Sequence, residues 1–254
     1  MIPVSEPSLK SVFIMLKAGG RVIGTGTAFV IRKNATQCFL ITARHNVTGR
    51  HHQTDEPLSP TCAIPDELEY VHRIEWPRGL EMSKSIKLLD GDRPLWKEHP
   101  YLKARADIVA VEMPDLRNAQ IDPYRTSIEL DADREDFLVG PGEPISVVGF
   151  PFGLRPGHTA VWATGFVATE IGIDYEELPS FLIDCRSRRG QSGSPVIAYR
   201  PAGSIVRLKN YRDYMVTQTS RTKLLGLYSG RVNAESDLGY VWKTAALQEM
   251  IEAA

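Results

Sequence analysis

The sequence has few of the features that mark membrane, secreted and disulfide-bonded proteins. No run of about eighteen apolar residues occurs, so no helical membrane span is expected. The N-terminus lacks a basic segment followed by an apolar one, so no secretory signal is expected either. The chain has only three cysteines, Cys38, Cys62 and Cys185, and no C-x-x-C pair. We therefore expect reduced thiols and a cytoplasmic protein.

The sequence also lacks a charge excess and a metal-ligand pattern. Its 30 basic and 31 acidic residues leave a formal net charge of −1, which gives no reason to expect nucleic acid or an acidic membrane as a partner. His51, His52, Cys62 and His72 match no compact zinc spacing, so no metal is expected. The glycines near Gly24 are followed by no predicted helix, so neither a phosphate loop nor a cofactor is expected.

Short runs of β-branched residues are the most frequent pattern in the sequence. They recur with Gly, Pro, Asn and Asp between them, a pattern typical of the strands of an all-β fold. Hydrophobic residues make up 43% of the chain, enough for a sizeable core. Residues 243–253 differ, because their apolar positions follow helical spacing and predict a C-terminal helix. The predicted strands cover residues 11–16, 21–31, 37–42, 107–112, 145–149, 159–169, 180–184, 195–199, 214–219, 223–228 and 238–242.

One segment, Gly190-Gln191-Ser192-Gly193-Ser194-Pro195, places a serine between glycines, ahead of an apolar run. A serine hydroxyl attacks a carbonyl efficiently only when a base takes its proton and donors stabilise the developing oxyanion. Glycines allow a sharp turn, which can direct the backbone N–H groups of Gly190 and Ser192 to one point beside the hydroxyl. Taken alone, the segment is more typical of a surface turn than of an active site.

Two upstream segments supply the other groups that an activated serine needs. His45 follows the apolar run 39–43, and Asp107 precedes the β-branched run 108–111. Both positions are predicted strand ends, where a side chain is held rigidly and still reaches a cleft. The order His45, Asp107, Ser192 excludes the subtilisin-like enzymes and the α/β-hydrolases. Ser194 also stands where the hydrolase motif Gly-x-Ser-x-Gly requires glycine.

These segments, in this order, resemble the chymotrypsin-like serine peptidases, in particular their bacterial trypsin-like and HtrA-type members. Residues 24–31, 145–154, 164–168 and 225–230 extend the resemblance over most of the chain. It implies two six-stranded antiparallel β-barrels with a cleft between them, in one peptidase domain over residues 1–254. We expect the first barrel over about 10–125, the second over about 140–242, and the closing helix over 243–253.

The resemblance implies a serine endopeptidase in which His45 is the general base, Asp107 its partner and Ser192 the nucleophile. The N–H groups of Gly190 and Ser192 would form the oxyanion hole, and a protein or peptide would be the substrate. Because Gln191 is uncharged, activation by pairing with a newly cleaved N-terminal amine is not expected. Control is instead expected from loop ordering, a regulatory protein or a partner domain. The alternative is a catalytically silent module that binds peptides in the same cleft or acts as a scaffold or sensor domain.

The resemblance also places substrate-binding residues around the serine. It implies that Arg186 lies at the base of the primary specificity pocket and that Tyr228, Ser229 and Gly230 belong to its wall. Arg186, helped by Arg231, would pair with an acidic substrate side chain, block the pocket or remain solvated. Two long insertions, 48–105 and 200–222, are expected to shape the cleft, contact a partner or do neither.

Overall fold

The computed structural model describes residues 4–75, 80–113, 116, 119–126, 137–208, 212–233 and 235–254. Within these ranges the chain is built mainly from strands, so the predicted all-β class is confirmed. The strands form one main sheet in each half of the chain. The predicted boundary between the halves, near 125–140, lies largely outside the described residues. In the described part, no helix has the length and apolar character needed to cross a membrane.

The first half contains one large antiparallel sheet. Its path runs β5-β4-β1-β2-β3-β9-β8, and β10 adds a short parallel pairing to β2. The sheet has eight strands where six were expected, because part of the long insertion folds into the hairpin β4–β5. The elements are helices α1 (Pro7–Lys10) and α2 (Arg44–Thr48) and strands β1 (Ser11–Ala18), β2 (Arg21–Arg32), β3 (Cys38–Thr42), β4 (Glu67–Glu75), β5 (Leu80–Lys87), β6 (Leu89–Asp90), β7 (Arg93–Pro94), β8 (Trp96–Glu98), β9 (Val109–Glu112) and β10 (Tyr124–Arg125).

The second half forms a closed six-stranded antiparallel barrel, as predicted. Its strands follow one another in the order β11-β12-β13-β18-β17-β14, and β15 and β16 form a separate hairpin outside it. The elements are strands β11 (Pro144–Gly149), β12 (Val161–Val167), β13 (Ser180–Asp184), β14 (Pro195–Arg200), β15 (Ile205–Arg207), β16 (Tyr214–Val216), β17 (Arg221–Arg231) and β18 (Leu238–Lys243) and helix α3 (Thr244–Glu252).

Strand β2 shows how the two halves share a core. Side chains of a strand alternate between opposite faces of its sheet. Phe29 and Ile31 therefore point one way, into an apolar cluster that also contains Leu227 of the second half. Ala28 and Val30 point the other way, into a cluster formed by the first half alone. This shared cluster packs the two halves of the chain against each other, and we call their contact the junction.

Helix α3 confirms the predicted C-terminal helix and closes this junction. Its buried residues are Ala246, Leu247, Met250 and Ile251, which occupy one face of the helix. They belong to the same shared cluster, and the helix packs on β9 of the first half and on β17 and β18 of the second.

Candidate active site

His45 and Asp107 meet because they lie at adjoining ends of two paired strands. Strand β3 ends at Thr42, β9 begins at Val109, and these two residues face each other in the antiparallel ladder. One oxygen of the Asp107 carboxylate accepts the backbone N–H of His45 at 2.8 Å. The other oxygen lies 2.7 Å from His45 Nδ1. These contacts fix the ring and favour the tautomer with its proton on Nδ1, so that Nε2 can act as a base.

The Asp107 carboxylate is only 2% exposed and has a third partner. The hydroxyl of Ser229 donates to the same oxygen that faces the His45 ring. Burial by itself raises the pKa of Asp107, but the His45 ring and the hydrogen bonds from His45 and Ser229 hold that pKa below its ordinary value. The carboxylate is therefore ionised at neutral pH and can stabilise a positive charge on His45.

Ser192 lies in the loop before β14, and residues of the first half hold this loop in place. The Ser192 carbonyl accepts from the Thr27 N–H and from the Asn46 side-chain amide, both at 3.1 Å. The Thr27 hydroxyl donates to the Gly190 carbonyl at 2.7 Å and accepts from the Phe150 N–H at 3.0 Å. The loop is thus anchored on strand β2 and helix α2, beside the histidine.

The second half clamps the same loop from its other side. The Gly193 N–H donates to the Tyr228 carbonyl, and the Tyr228 N–H donates to the Ser194 carbonyl, both at 2.8 Å. Gly193 has a φ of +89°, and a Cβ at this position would overlap the Thr27 carbonyl oxygen. Only glycine combines this backbone conformation with so close an approach.

Gln191, the uncharged residue before the serine, is buried within the loop. Its Oε1 accepts the Arg188 N–H at 2.7 Å. An amide side chain thus holds the loop from within.

Two backbone N–H groups of the serine loop have no acceptor in the part of the chain that the structure describes. The Arg189 carbonyl accepts from the Phe152 N–H at 2.7 Å, and the planar trans peptide turns the Gly190 N–H to the opposite side. Among the described residues, neither the Gly190 N–H nor the Ser192 N–H donates to a protein atom. Both residues line the cleft, where these donors are available to a bound oxyanion.

The cleft has a volume of about 650 Å³, and both His45 and Ser192 line it. No hydrogen bond joins the Ser192 hydroxyl to the His45 ring within the described ranges. Such contacts are often long before a substrate binds and tighten in the complex. The structure thus places the hydroxyl and the imidazole in one cleft without a hydrogen bond between them.

The lining of this cleft combines positive charge with exposed apolar side chains. Arg189 and Arg231 carry the charge, and Val22, Leu58 and Phe152 are large apolar residues that remain exposed. No aspartate or glutamate occurs among the described lining residues. Such a cleft attracts a negatively charged chain segment and can bury apolar side chains beside it.

The five predicted substrate-binding residues have different surroundings. Ser229, Gly230 and Arg231 line the cleft. Tyr228 is buried in the apolar core of the second barrel. Arg186 is exposed and is not among the lining residues. The structure therefore brings three of the five into the cleft, and leaves the expected base of the pocket, Arg186, and one residue of its expected wall, Tyr228, outside the lining.

Part of the insertion after His45 forms one side of the cleft. The His52 ring centroid lies 6.2 Å from that of His45 and 5.9 Å from that of Tyr240, and Gln53 Nε2 donates to the Tyr240 hydroxyl at 3.2 Å. This segment therefore reaches across to the second half. The sequence marks the insertion by its length, but carries no signal that selects His52, or the loop anchors Thr27 and Asn46.

A metal site is the other chemistry that these residues suggest. His45, His52 and Asp107 place potential ligand atoms within 4.8 Å of one another. Both oxygens of Asp107, however, already accept hydrogen bonds from His45 and Ser229. The group offers two imidazoles and no free carboxylate oxygen, so it fits a hydrogen-bonded Asp–His couple better than a metal centre.

No protein-family model and no curated protein matches the sequence, whereas solved structures do match the fold. The chain is similar to a serine endoprotease from Yersinia pestis, with 11% identity over 100% of this chain and 67% of that chain, and a TM-score of 0.53. It is also similar to the active form of a protease from M. tuberculosis, with 16% identity over 97% of this chain and 81% of that chain, and a TM-score of 0.50. This likeness concerns the fold: the chain has the fold of the chymotrypsin-like serine proteases.

Proposed function

We propose that this chain is a serine endopeptidase that cleaves peptide bonds through an acyl-enzyme intermediate. The observation that carries the proposal is the Asp107–His45 couple. His45 shares a cleft with Ser192 and with two N–H groups that have no acceptor among the described residues. Acyl transfer needs a nucleophile, a base held by a third group, and donors for the oxyanion. All three requirements converge in one cleft, on a fold shared with serine proteases.

In the acylation half of the reaction, Ser192 Oγ attacks the carbonyl carbon while its proton passes to His45 Nε2. The carbonyl oxygen becomes an oxyanion that accepts from the Gly190 and Ser192 N–H groups, and one such donor typically lowers the barrier by about 3 kcal/mol. Asp107 stabilises the imidazolium formed on His45. The C–N bond then breaks, His45 gives its proton to the leaving amine, and an ester on Ser192 remains.

In the deacylation half, water attacks the ester carbonyl and gives a proton to His45 Nε2. The same two N–H groups hold the second oxyanion. Its collapse breaks the ester bond, and His45 returns the proton to Ser192 Oγ. The new carboxylic acid leaves, and the residues regain their starting protonation states.

A catalytically silent, peptide-binding module is the second candidate. One observation favours it: within the described residues, no hydrogen bond links Ser192 to His45. Such a module would bind an extended peptide along the cleft by strand addition, without reaction. The two candidates differ in the chemical reactivity of Ser192.

Labelling with an alkyl fluorophosphonate decides between them. We expect the wild-type protein to label, and Ser192→Ala to abolish both labelling and cleavage of an unfolded protein such as casein. Ser194→Ala is the matched control: its hydroxyl is fully buried, so labelling should persist. A folded wild-type protein that fails to label would support the silent module, and labelling that survives in Ser192→Ala would refute the nucleophile assignment.

A further inference from the structure

We propose that Tyr228 fills the pocket for P1, the residue whose carbonyl is attacked, so that the enzyme cleaves after glycine, alanine or serine and not after large residues. The inference rests on the proposed function, because it assigns a substrate class to the same site.

The place of the P1 side chain follows from the groups that hold its carbonyl. The carbonyl carbon must reach Ser192 Oγ while its oxygen faces the Gly190 N–H. The ladder between β14 and β17 ends at Leu227, and the backbone of Tyr228 is bonded to the serine loop. Residues 229–231 of β17, which line the cleft, therefore present the edge that an extended substrate can pair with. A P1 side chain between this edge and residues 187–190 has to enter the space behind the serine.

Tyr228 occupies this space and connects its three walls. Its backbone lies against the serine loop through the two hydrogen bonds at 2.8 Å. Its phenol reaches the opposite wall, where it hydrogen-bonds the hydroxyl of Ser187. On the third wall, a Cβ added to Gly239 of β18 would lie 2.6 Å from Tyr228 Cε2, so the ring lies directly against that backbone.

The ring leaves no room for a second large side chain. Tyr228 is 2% exposed and packs within the apolar cluster of the second barrel. Burial raises the pKa of its phenol to about 12, so the ring stays neutral and keeps its hydrogen bond at physiological pH. The described lining of the cleft contains Gly190 and Ser229 but neither Tyr228 nor Ser187, so the space that these two side chains occupy is not open to the cleft.

This arrangement also changes the expectation for Arg186. Its side chain is exposed and outside the cleft lining, and an acidic P1 side chain would have to displace Tyr228 to reach it. Arg189 and Arg231, by contrast, line the open cleft. Acidic substrate residues are therefore expected to act at positions other than P1.

Peptidyl diphenyl phosphonates that differ only in P1 test the inference, because they react with the serine and report how each side chain is accepted. We expect the glycine and alanine probes to react at least about 10-fold faster than the phenylalanine and arginine probes. Tyr228→Ala opens the space and should speed the phenylalanine probe by at least about 10-fold. Tyr228→Phe keeps the ring and removes only the bond to Ser187, so its preference should match that of the wild type.

An alkyl fluorophosphonate, which presents no peptide side chain, separates this test from that of the proposed function. If the wild type does not react with it, the proposed function fails and the inference fails with it. If the wild type does react, then equal or faster reaction with phenylalanine or arginine probes, or no difference among the probes, overturns the inference alone. If Tyr228→Ala does not fold, the wild-type and Tyr228→Phe profiles decide.

Discussion

The two halves of the molecule supply the candidate site in different ways. In the first half, His45 and Asp107 meet because β3 and β9 are neighbours in one sheet, and their contact lies within that sheet. In the second half, Tyr228 of the barrel holds the serine loop on one side, but Ser192 itself is bonded across the junction, to Thr27 and Asn46 of the first half. The Asp–His couple is a local product of strand pairing, whereas the place of the serine depends on how the halves dock.

This difference separates two kinds of substitution. A change within the couple should alter the chemistry while the shared core still forms. A change at the docking contacts should lower stability and activity together, because the same hydrogen bonds that join the halves also shape the serine loop.

The largest effect is expected for Asp107→Asn, which alters the couple and keeps its shape. The amide carries no charge to stabilise the His45 imidazolium and no longer selects the tautomer with its proton on Nδ1. We expect kcat/KM on a peptide substrate to fall by about 10⁴-fold. The free energy of unfolding should fall by only about 1–3 kcal/mol. Asp184→Asn, at an exposed aspartate, is the control and should change neither quantity. An activity loss below about 10-fold would mean that Asp107 does not serve the base.

A smaller effect, on the docking of the halves, is expected for Gly193→Ala. A Cβ at this position would overlap the Thr27 carbonyl oxygen and the Thr42 hydroxyl, both in the first half. The serine loop must then move away. We expect the free energy of unfolding to fall by about 3 kcal/mol or more, and most of the peptidase activity to be lost. Urea unfolding measures the loss.

Gly203→Ala is the matched control for this prediction. Gly203 has a similar φ, +85°, but nothing lies within 4 Å of an added Cβ. The Gly203→Ala substitution should lower the free energy of unfolding only by the strain of a left-handed alanine, about 1–2 kcal/mol. Equal costs at the two glycines would show that the close approach of the halves does not constrain the loop.

The same comparison explains how far the sequence predicts this molecule. The β-branched runs before His45 and after Asp107 predict two strand ends, and the structure pairs those strands side by side. The hairpin β4–β5 was missed, because its strands carry many charged residues and lack the β-branched runs used to find the others. The catalytic roles of His45, Asp107 and Ser192 stay predictions, which the labelling and kinetic experiments test.

The surroundings of the serine are less predictable because they depend on side-chain direction and on distant segments. Tyr228 and Ser229 are adjacent in β17, and strand geometry sends their side chains to opposite faces. Ser229 consequently reaches Asp107, while Tyr228 enters the second barrel. Which of the two faces the cleft depends on the register of β17 against β14 and β18, and the motif does not encode that register.

The smallest effect is expected at His52, which lies between the halves at the cleft. Burial lowers the pKa of His52, the charge of Asp107 opposes this, and the charges of His45 and His51 add to the lowering. The unfolded chain, with a histidine pKa of about 6.5, therefore takes up a proton before the folded chain does. As the pH falls below about 6.5, the wild type should lose stability until the lower, folded pKa is passed.

His52→Gln removes this titration, so it isolates the contribution of the segment that reaches across the cleft. The free energy of unfolding of the wild type relative to the variant should decline as the pH is lowered from about 7.5 to about 5, as urea unfolding at each pH would show. His99, whose pKa burial also lowers, titrates in both proteins and cancels in the difference. A difference that stays constant would mean that the His52 ring is as well solvated in the folded chain as in the unfolded one. The first-half insertion would then lie beside the second barrel without burying this ring, and the docking of the halves would depend on the serine loop, the shared core and polar contacts elsewhere, such as the Arg155–Glu81 ion pair.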